Sequence, residues 1–242
     1  MVELTGYVVS LPMLRQMPRG DGHPVLVLPG FLADDRSTVA LRSVLRSRGY
    51  AVHSWGLGRN LGPRPAIFHG LVDRLDGIYR ACGRTVSLVG WSLGGVYARV
   101  LARRHPSTVR QVITLGSPFR MRPGDRSRAS FVFDALNPTS PLPLNEEVEG
   151  HPLPVPSTAI YTRSDGVVRW HLCIESRHRC AENIEVIGSH CGLGHNPAAV
   201  LAVADRLAQP EGSWRPFVPP PGLALLYPPP TWWQGDRQRA SA

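Results

Sequence analysis

The sequence predicts an α/β chain, a mostly parallel sheet with helices on both faces. Two observations carry this. Short apolar, β-branched runs alternate with stretches whose apolar residues recur at helical spacing. The runs also end in loops rich in glycine, proline and acidic residues, and in a parallel sheet ligands gather at the carboxyl ends of the strands. At 242 residues the chain suits one domain with a sizeable core.

Residues 1–23 read as a short amphipathic lead-in broken by Pro12, Pro18 and Gly20. Val25 to Leu28 lies between prolines and suits a strand buried on both faces, with Pro29 to Asp35 as the loop at its end. Asp34, Asp35 and Ser37 are cap-type residues ahead of a helical pattern (Val39, Leu41, Val44, Leu45) that stops at Gly49. A second strand is expected at Tyr50 to Trp55, followed by a glycine-rich loop over 56–65. The next helix carries Ile67, Leu71, Leu75, Ile78 and Tyr79. Thr85 to Val89 is the third strand, its helix reaching about Arg104, and Val109 to Leu115 is the fourth.

The alternation then pauses. Residues 119–156 are rich in proline and arginine, with an apolar patch from Phe131 to Leu136, and form either a surface excursion or a small cap beside a site. Strand character resumes at Ser157 to Thr162 and again at Asn183 to Ile187, and Asn196 caps a final helix from Pro197 to Leu207. The proline-dominated residues 210–242 read as an extended wrap and tail, with Trp214, Phe217, Trp232 and Trp233 as packing anchors. The domain proper is therefore 1–209.

Composition narrows the classes. Hydrophobic content of 43% and charged content of 19% are those of a globular protein. No stretch has the roughly 18 uninterrupted apolar residues of a membrane span. No export signal is visible at the start, so a cytoplasmic location is the expectation. The net charge is +9 and every basic residue is arginine, but the arginines are scattered without an aromatic-basic or recognition-helix pattern. A solvated basic surface is expected rather than a nucleic-acid site, with peripheral contact to anionic lipid left open. The four cysteines form no CxxC pair, which argues against a zinc site; Cys173 and Cys180 could close a small loop as a disulfide, but a reducing cytoplasm argues against it, and the pairing stays open.

The chemistry concentrates at Gly90-Trp91-Ser92-Leu93-Gly94, a GxSxG between a strand and a helix. Glycines on both sides of the serine let the backbone pass close to its neighbours, and the turn lifts Ser92 Oγ to the start of a helix, whose free N–H groups receive negative charge. Serine is a weak nucleophile at its free pKa and needs a base, itself oriented by a third group. Four strand-end loops carry Gly30-Phe31, Ser92, Asp165 and His190, in that order. Asp165 sits in Ser164-Asp165-Gly166. His190 and His195 both lie in the last such loop and both remain possible bases; the other histidines, His23 among them, read as surface or loop residues.

In Val25-Leu26-Val27-Leu28-Pro29-Gly30-Phe31, in Leu88 to Gly95, in Arg163 to Val168 and in Gly188 to Leu193, the chain resembles α/β-hydrolases of the bacterial lipase and esterase type, over roughly residues 23–208. Pro29 and Trp91 depart from the histidines common at those two positions. The resemblance implies a serine ester hydrolase using Ser92, Asp165 and His190 (or His195), with the Phe31 and Leu93 N–H groups as oxyanion hole. Neither metal nor organic cofactor is implied. Leu32, Trp91, Phe119, Phe131 and Phe133 are the expected pocket residues, for a small-molecule or lipid ester. The same triad would serve an acyltransferase or thioesterase, and a binding protein that has lost turnover is the remaining alternative.

Overall fold

The computed structural model of the protein describes residues 17–121, 125, 127, 128, 130–137 and 151–234, and for Phe131 and Val132 only the backbone. Its six strands are β1 (Pro24–Leu28), β2 (Ala51–Ser54), β3 (Val86–Trp91), β4 (Val109–Leu115), β5 (Ser157–Tyr161) and β6 (Ala181–Glu185). They form one sheet in the order β2-β1-β3-β4-β5-β6, with every pair parallel. The helices are α1 (Val39–Ser47), α2 (Pro65–Cys82), α3 (Leu93–Arg104), α4 (Ser130–Leu136) and α5 (Pro197–Leu207).

Strand alternation divides the core. Val25 and Val27 of β1 face one side, where they meet α1 and α5 through Leu41, Leu45, Val200 and Val203. Leu26 and Leu28 face the other, against Leu71 and Leu75 of α2 and Val96 and Val100 of α3. All five β1 residues are buried, as a strand covered on both faces requires. The edge strand β2 has its outward carbonyls occupied by arginine: Arg46 donates to Val52 O at 3.0 Å and Arg74 to Ser54 O at 3.1 Å. A capped edge offers a poor template for another strand.

Element positions follow the sequence closely, with three corrections and one open point decided. β6 ends at Glu185 rather than running to Ile187, because Ala181 to Glu185 is the stretch that pairs with Ser157 to Tyr161. Cys173 and Cys180 are free thiols, as are the other two cysteines. The arginines are not all surface charge: Arg42, Arg99, Arg110, Arg120 and Arg206 are buried. Each donates to a backbone carbonyl, those of Asp35, His151, Gln209, Ile174 and Arg215 respectively. A guanidinium has five donors in a planar fork, so it satisfies several acceptors at once while its stem packs as hydrocarbon. His23, finally, is fully buried.

Of the interrupted stretch 119–156, α4 appears as the apolar patch implied, while 1–16, 138–150 and 235–242 lie outside the described residues. Residues 210–234 run over the β5 and β6 end of the domain. Phe217 N donates to Glu182 Oε2 at 2.7 Å, Thr231 N to the Tyr161 hydroxyl at 2.8 Å, and Trp233 N to Glu175 O at 3.1 Å. Phe217 also stacks edge-on against Tyr227 with centroids 4.8 Å apart. Among the described residues, no helix is long and apolar enough to cross a membrane.

The buried His23 belongs to a polar cluster at the amino-terminal ends of the strands. Its Nδ1 lies 2.5 Å from Asp21 Oδ1 and its Nε2 2.9 Å from Ser87 Oγ. Since the carboxylate only accepts, Nδ1 carries the proton, and Nε2 then accepts from the serine. Burial is the main cause that lowers the His23 pKa, reinforced by Arg110 and only partly offset by Asp21. Burial by itself would raise Asp21, but hydrogen bonds from His23 and Arg84 outweigh it and leave its carboxyl far below the usual range. Both shifts have the same sign for stability. The unfolded chain binds a proton on His23 as the pH falls through about 6.5, and on Asp21 near 3.8, before the folded protein does. The midpoint of urea unfolding should therefore drop between pH 7.5 and 5 and drop further below 4. In His23→Gln the first decline should shrink; an equal decline in both proteins would remove His23 as its source.

Candidate active site

Ser92 is the residue between β3 and α3, at φ 51° and ψ −121°. Apart from Leu32 it has the only positive φ of a non-glycine residue among those described. Such a conformation costs about 1–3 kcal/mol and persists only where the surroundings enforce it. They do so on every side. Ser92 N donates to Leu115 O of β4 at 2.8 Å and Gly95 N donates to Ser92 O at 3.0 Å. A Cβ on Gly90 would come within 2.3 Å of Gly95 Cα, and one on Gly94 within 2.4 Å of Leu28 O. Strand, turn and helix are thus packed backbone to backbone.

The loop after β1 lies beside the serine. A Cβ on Gly30 would be 3.3 Å from Ser92 Cβ and 4.0 Å from its Oγ. The Phe31 N–H donates to no described residue, whereas Leu32 N and Ala33 N are engaged by Asn60 O and Gly30 O. Leu93 is the first residue of α3, where an N–H has no acceptor within the helix. Two donors, one from the loop after β1 and one from the start of α3, are therefore available.

Asp165 follows β5 and His190 opens a short 3-10 turn after β6 (His190–Gly192). They meet at 2.6 Å, His190 Nδ1 to Asp165 Oδ2. Asp165 Oδ1 accepts from Val167 N at 2.9 Å and Val168 N at 2.7 Å. Both carboxylate oxygens are thus used, and the side chains of Asp165 and His190 are only 2% and 8% exposed. In such a dry setting the hydrogen bond fixes the tautomer: Nδ1 carries the proton and Nε2 is left as the acceptor. His195 is placed differently, its ring edge-on to Trp91 with centroids 5.5 Å apart.

Sequence reasoning passed over Gly116, the residue after β4. At φ +54° it can only be glycine without strain, and an added Cβ would meet His190 Nδ1 at 3.2 Å, Asp165 Oδ2 at 3.3 Å and Leu193 Cδ1 at 2.8 Å. The closing Gly-Ser-Pro of that strand was its only trace in the sequence.

The expected pocket residues divide. Leu32 is exposed. Phe133 of α4 packs edge-on to Phe31 with centroids 5.2 Å apart, which brings the apolar patch to the loop beside Ser92. The side chain of Phe131 lies outside the described residues. Trp91 donates from its indole N–H to His190 O at 3.0 Å, and a Cβ on Gly194 would strike its ring, so Trp91 supports the histidine turn. Phe119 is buried under the Arg99 guanidinium at 3.9 Å and belongs to the surroundings of the Arg99–Glu175 ion pair. Among the described residues, no group of His, Cys, Asp and Glu is arranged to hold a metal.

Comparison with known proteins bears on the fold. The chain is similar to Aspergillus fumigatus lipase B, at 17% identity and a TM-score of 0.61, over 86% of this chain and 59% of that one. It is similar also to a Paleococcus ferrophilus monoacylglycerol lipase (13%, 0.55, over 78% and 96%). An α/β superfamily hydrolase from Oenococcus oeni PSU-1 gives 16% and 0.56, over 77% and 91%. In sequence it is 30% identical over 109 residues to Serine hydrolase BPHL of Mus musculus, a match that spans 40% of this chain and 37% of that protein. No family model matches.

Gly116→Ala should push the histidine off its carboxylate. A downfield proton resonance from the Asp165–His190 hydrogen bond is expected in the unaltered protein and should be lost or shifted in the variant. An unchanged resonance would mean that the turn gives way elsewhere.

Proposed function

The protein has an α/β-hydrolase fold, and on that fold we propose that it is a serine carboxylic ester hydrolase of esterase or lipase type, working through an acyl-enzyme on Ser92. The observation that carries the reading is the buried Asp165–His190 pair on the same strand-end surface as a serine held at positive φ. His190 rather than His195 is the base, because it alone of the two is oriented by the carboxylate.

In this mechanism Ser92 Oγ attacks the ester carbonyl while His190 Nε2 takes its proton. Asp165 stabilises the imidazolium and keeps Nδ1 protonated. The carbonyl oxygen becomes an oxyanion and is received by the N–H groups of Phe31 and Leu93. Collapse breaks the bond to the alcohol, which leaves with the proton from His190. Water then enters, loses a proton to His190 and attacks the acyl carbon; the bond to Ser92 Oγ breaks, Oγ takes the proton back from His190, and the acid leaves. Exposed Leu32 and the Phe31–Phe133 contact favour a substrate with an apolar acyl or alcohol portion.

With nitrophenyl esters, Ser92→Ala should abolish turnover without change in far-UV circular dichroism, and should lose labelling by a fluorophosphonate. Asp165→Asn should lower kcat by about 10³- to 10⁴-fold, since it favours the wrong tautomer. His190→Ala should be comparably inactive, and His195→Ala should stay far closer to the unaltered enzyme. Full activity in His190→Ala would transfer the role of base to His195.

A further inference from the structure

We propose that Asn60 is a positioning residue that holds both oxyanion donors in register as one rigid unit, an inference that rests on the ester-hydrolase reading above. Asn60 lies in the loop between β2 and α2, and is fully buried. Its hydrogen bonds converge on the machinery. The side-chain Nδ2 donates to Pro29 O at 3.0 Å. The backbone N donates to Ala33 O at 2.8 Å, and the backbone O accepts from Leu32 N at 2.7 Å. Pro29 and Leu32 flank Gly30-Phe31, so the peptides on both sides of the Phe31 donor are fixed by this one residue.

The fixing is needed because Leu32 is at φ +62°, a conformation that a leucine does not adopt without external restraint. Released from Asn60, the loop would relax and the Phe31 N–H would turn away from Ser92. On its other side, Asn60 Oδ1 accepts from Gly62 N at 3.2 Å and from the Tyr97 hydroxyl at 3.3 Å. Tyr97 is buried in α3, one turn beyond Leu93, the second donor. Asn60 therefore ties the loop of the first donor to the helix of the second. An amide suits this position because it presents donor and acceptor from one planar group. Aspartate has the same shape but would set a carboxylate oxygen against Pro29 O, acceptor facing acceptor.

The loop is secured from outside too. Asn137, just after α4, donates to Leu61 O at 3.0 Å, and Trp55 at the loop entrance is buried with its indole N–H on Gly58 O at 2.8 Å. Asn60 is thus held from behind while it holds the loop in front.

Loss of one oxyanion donor typically costs 10²–10³ in kcat; misplacing a donor without deleting it should cost about 10–100-fold. The test compares Asn60→Asp, Tyr97→Phe and the unaltered enzyme on a nitrophenyl ester, with active sites titrated by fluorophosphonate so that only folded, competent protein is counted. Asn60→Asp should lower kcat by about 10–100-fold with KM within about threefold, and should weaken a boronic acid inhibitor by a similar factor. Amide exchange in residues 30–33 should accelerate while that of β3 and α3 does not. Tyr97→Phe, which keeps the packed ring, should show a smaller loss of the same kind, and is the deciding variant where Asn60→Asp does not fold. A kcat per titrated site equal to that of the unaltered enzyme in the deciding variant would overturn the role of Asn60 and leave the hydrolase reading standing. Absence of ester turnover and of labelling in the unaltered protein would overturn both.

Discussion

The turn at Ser92 is the constraint on which the rest of the structure depends. A serine at φ 51° is out of its preferred basin, and nothing local to the turn can keep it there. It stays because the start of α3 is pressed against the carboxyl end of β1, with no room at Gly94 for a Cβ beside Leu28 O, and because Gly90 and Gly95 let strand and helix backbones touch. The order of the central strands follows. β1 and β4 must both flank β3, one to supply the loop beside Ser92 and the other to accept the Ser92 N–H at Leu115. Folding energy gained across the two apolar layers is partly spent in holding this strain.

Polar groups repeat the same logic in the interior. The Asp165–His190 pair and the Asp21–His23–Ser87 cluster use similar residue types at similar distances. The difference is location. Asp165 and His190 lie in loops beyond the carboxyl ends of β5 and β6, whereas His23 precedes β1 and Ser87 lies fully buried near the beginning of β3, among side chains that already satisfy it. The first arrangement engages one ring nitrogen among the described residues, and the second engages both. The Arg99–Glu175 pair, buried on both sides, is a third case. Phe119 covers the guanidinium and His151 O takes one of its donors, so a charge that would be costly in an apolar interior is met on several sides.

Arginine content illustrates how composition misleads when read alone. A basic chain suggests a basic surface, yet five arginines are interior and each gives a donor to a backbone carbonyl. Burial of such carbonyls without a donor is costly. The long loops and the residues after α5 create many of them, and a side chain with five donors meets that need.

The sequence by itself determined the elements, their alternation, the serine turn and the order of Gly30-Phe31, Ser92, Asp165 and His190 along the chain. These are written in short-range patterns: β-branched runs, helical spacing, caps such as Asn196, and glycines at a sharp turn. The local context Ser-His-x-Gly-Leu favoured His190 and left His195 as the alternative; tertiary structure decided which of them meets Asp165, by setting His190 across from it. It also decided that Trp91 would brace the histidine turn 99 residues away, that Phe119 would cover an ion pair, and that Gly116 and Asn60 would stand behind the site. Each of these rests on a contact between segments distant in sequence, and a distant contact leaves no periodicity in the chain that makes it.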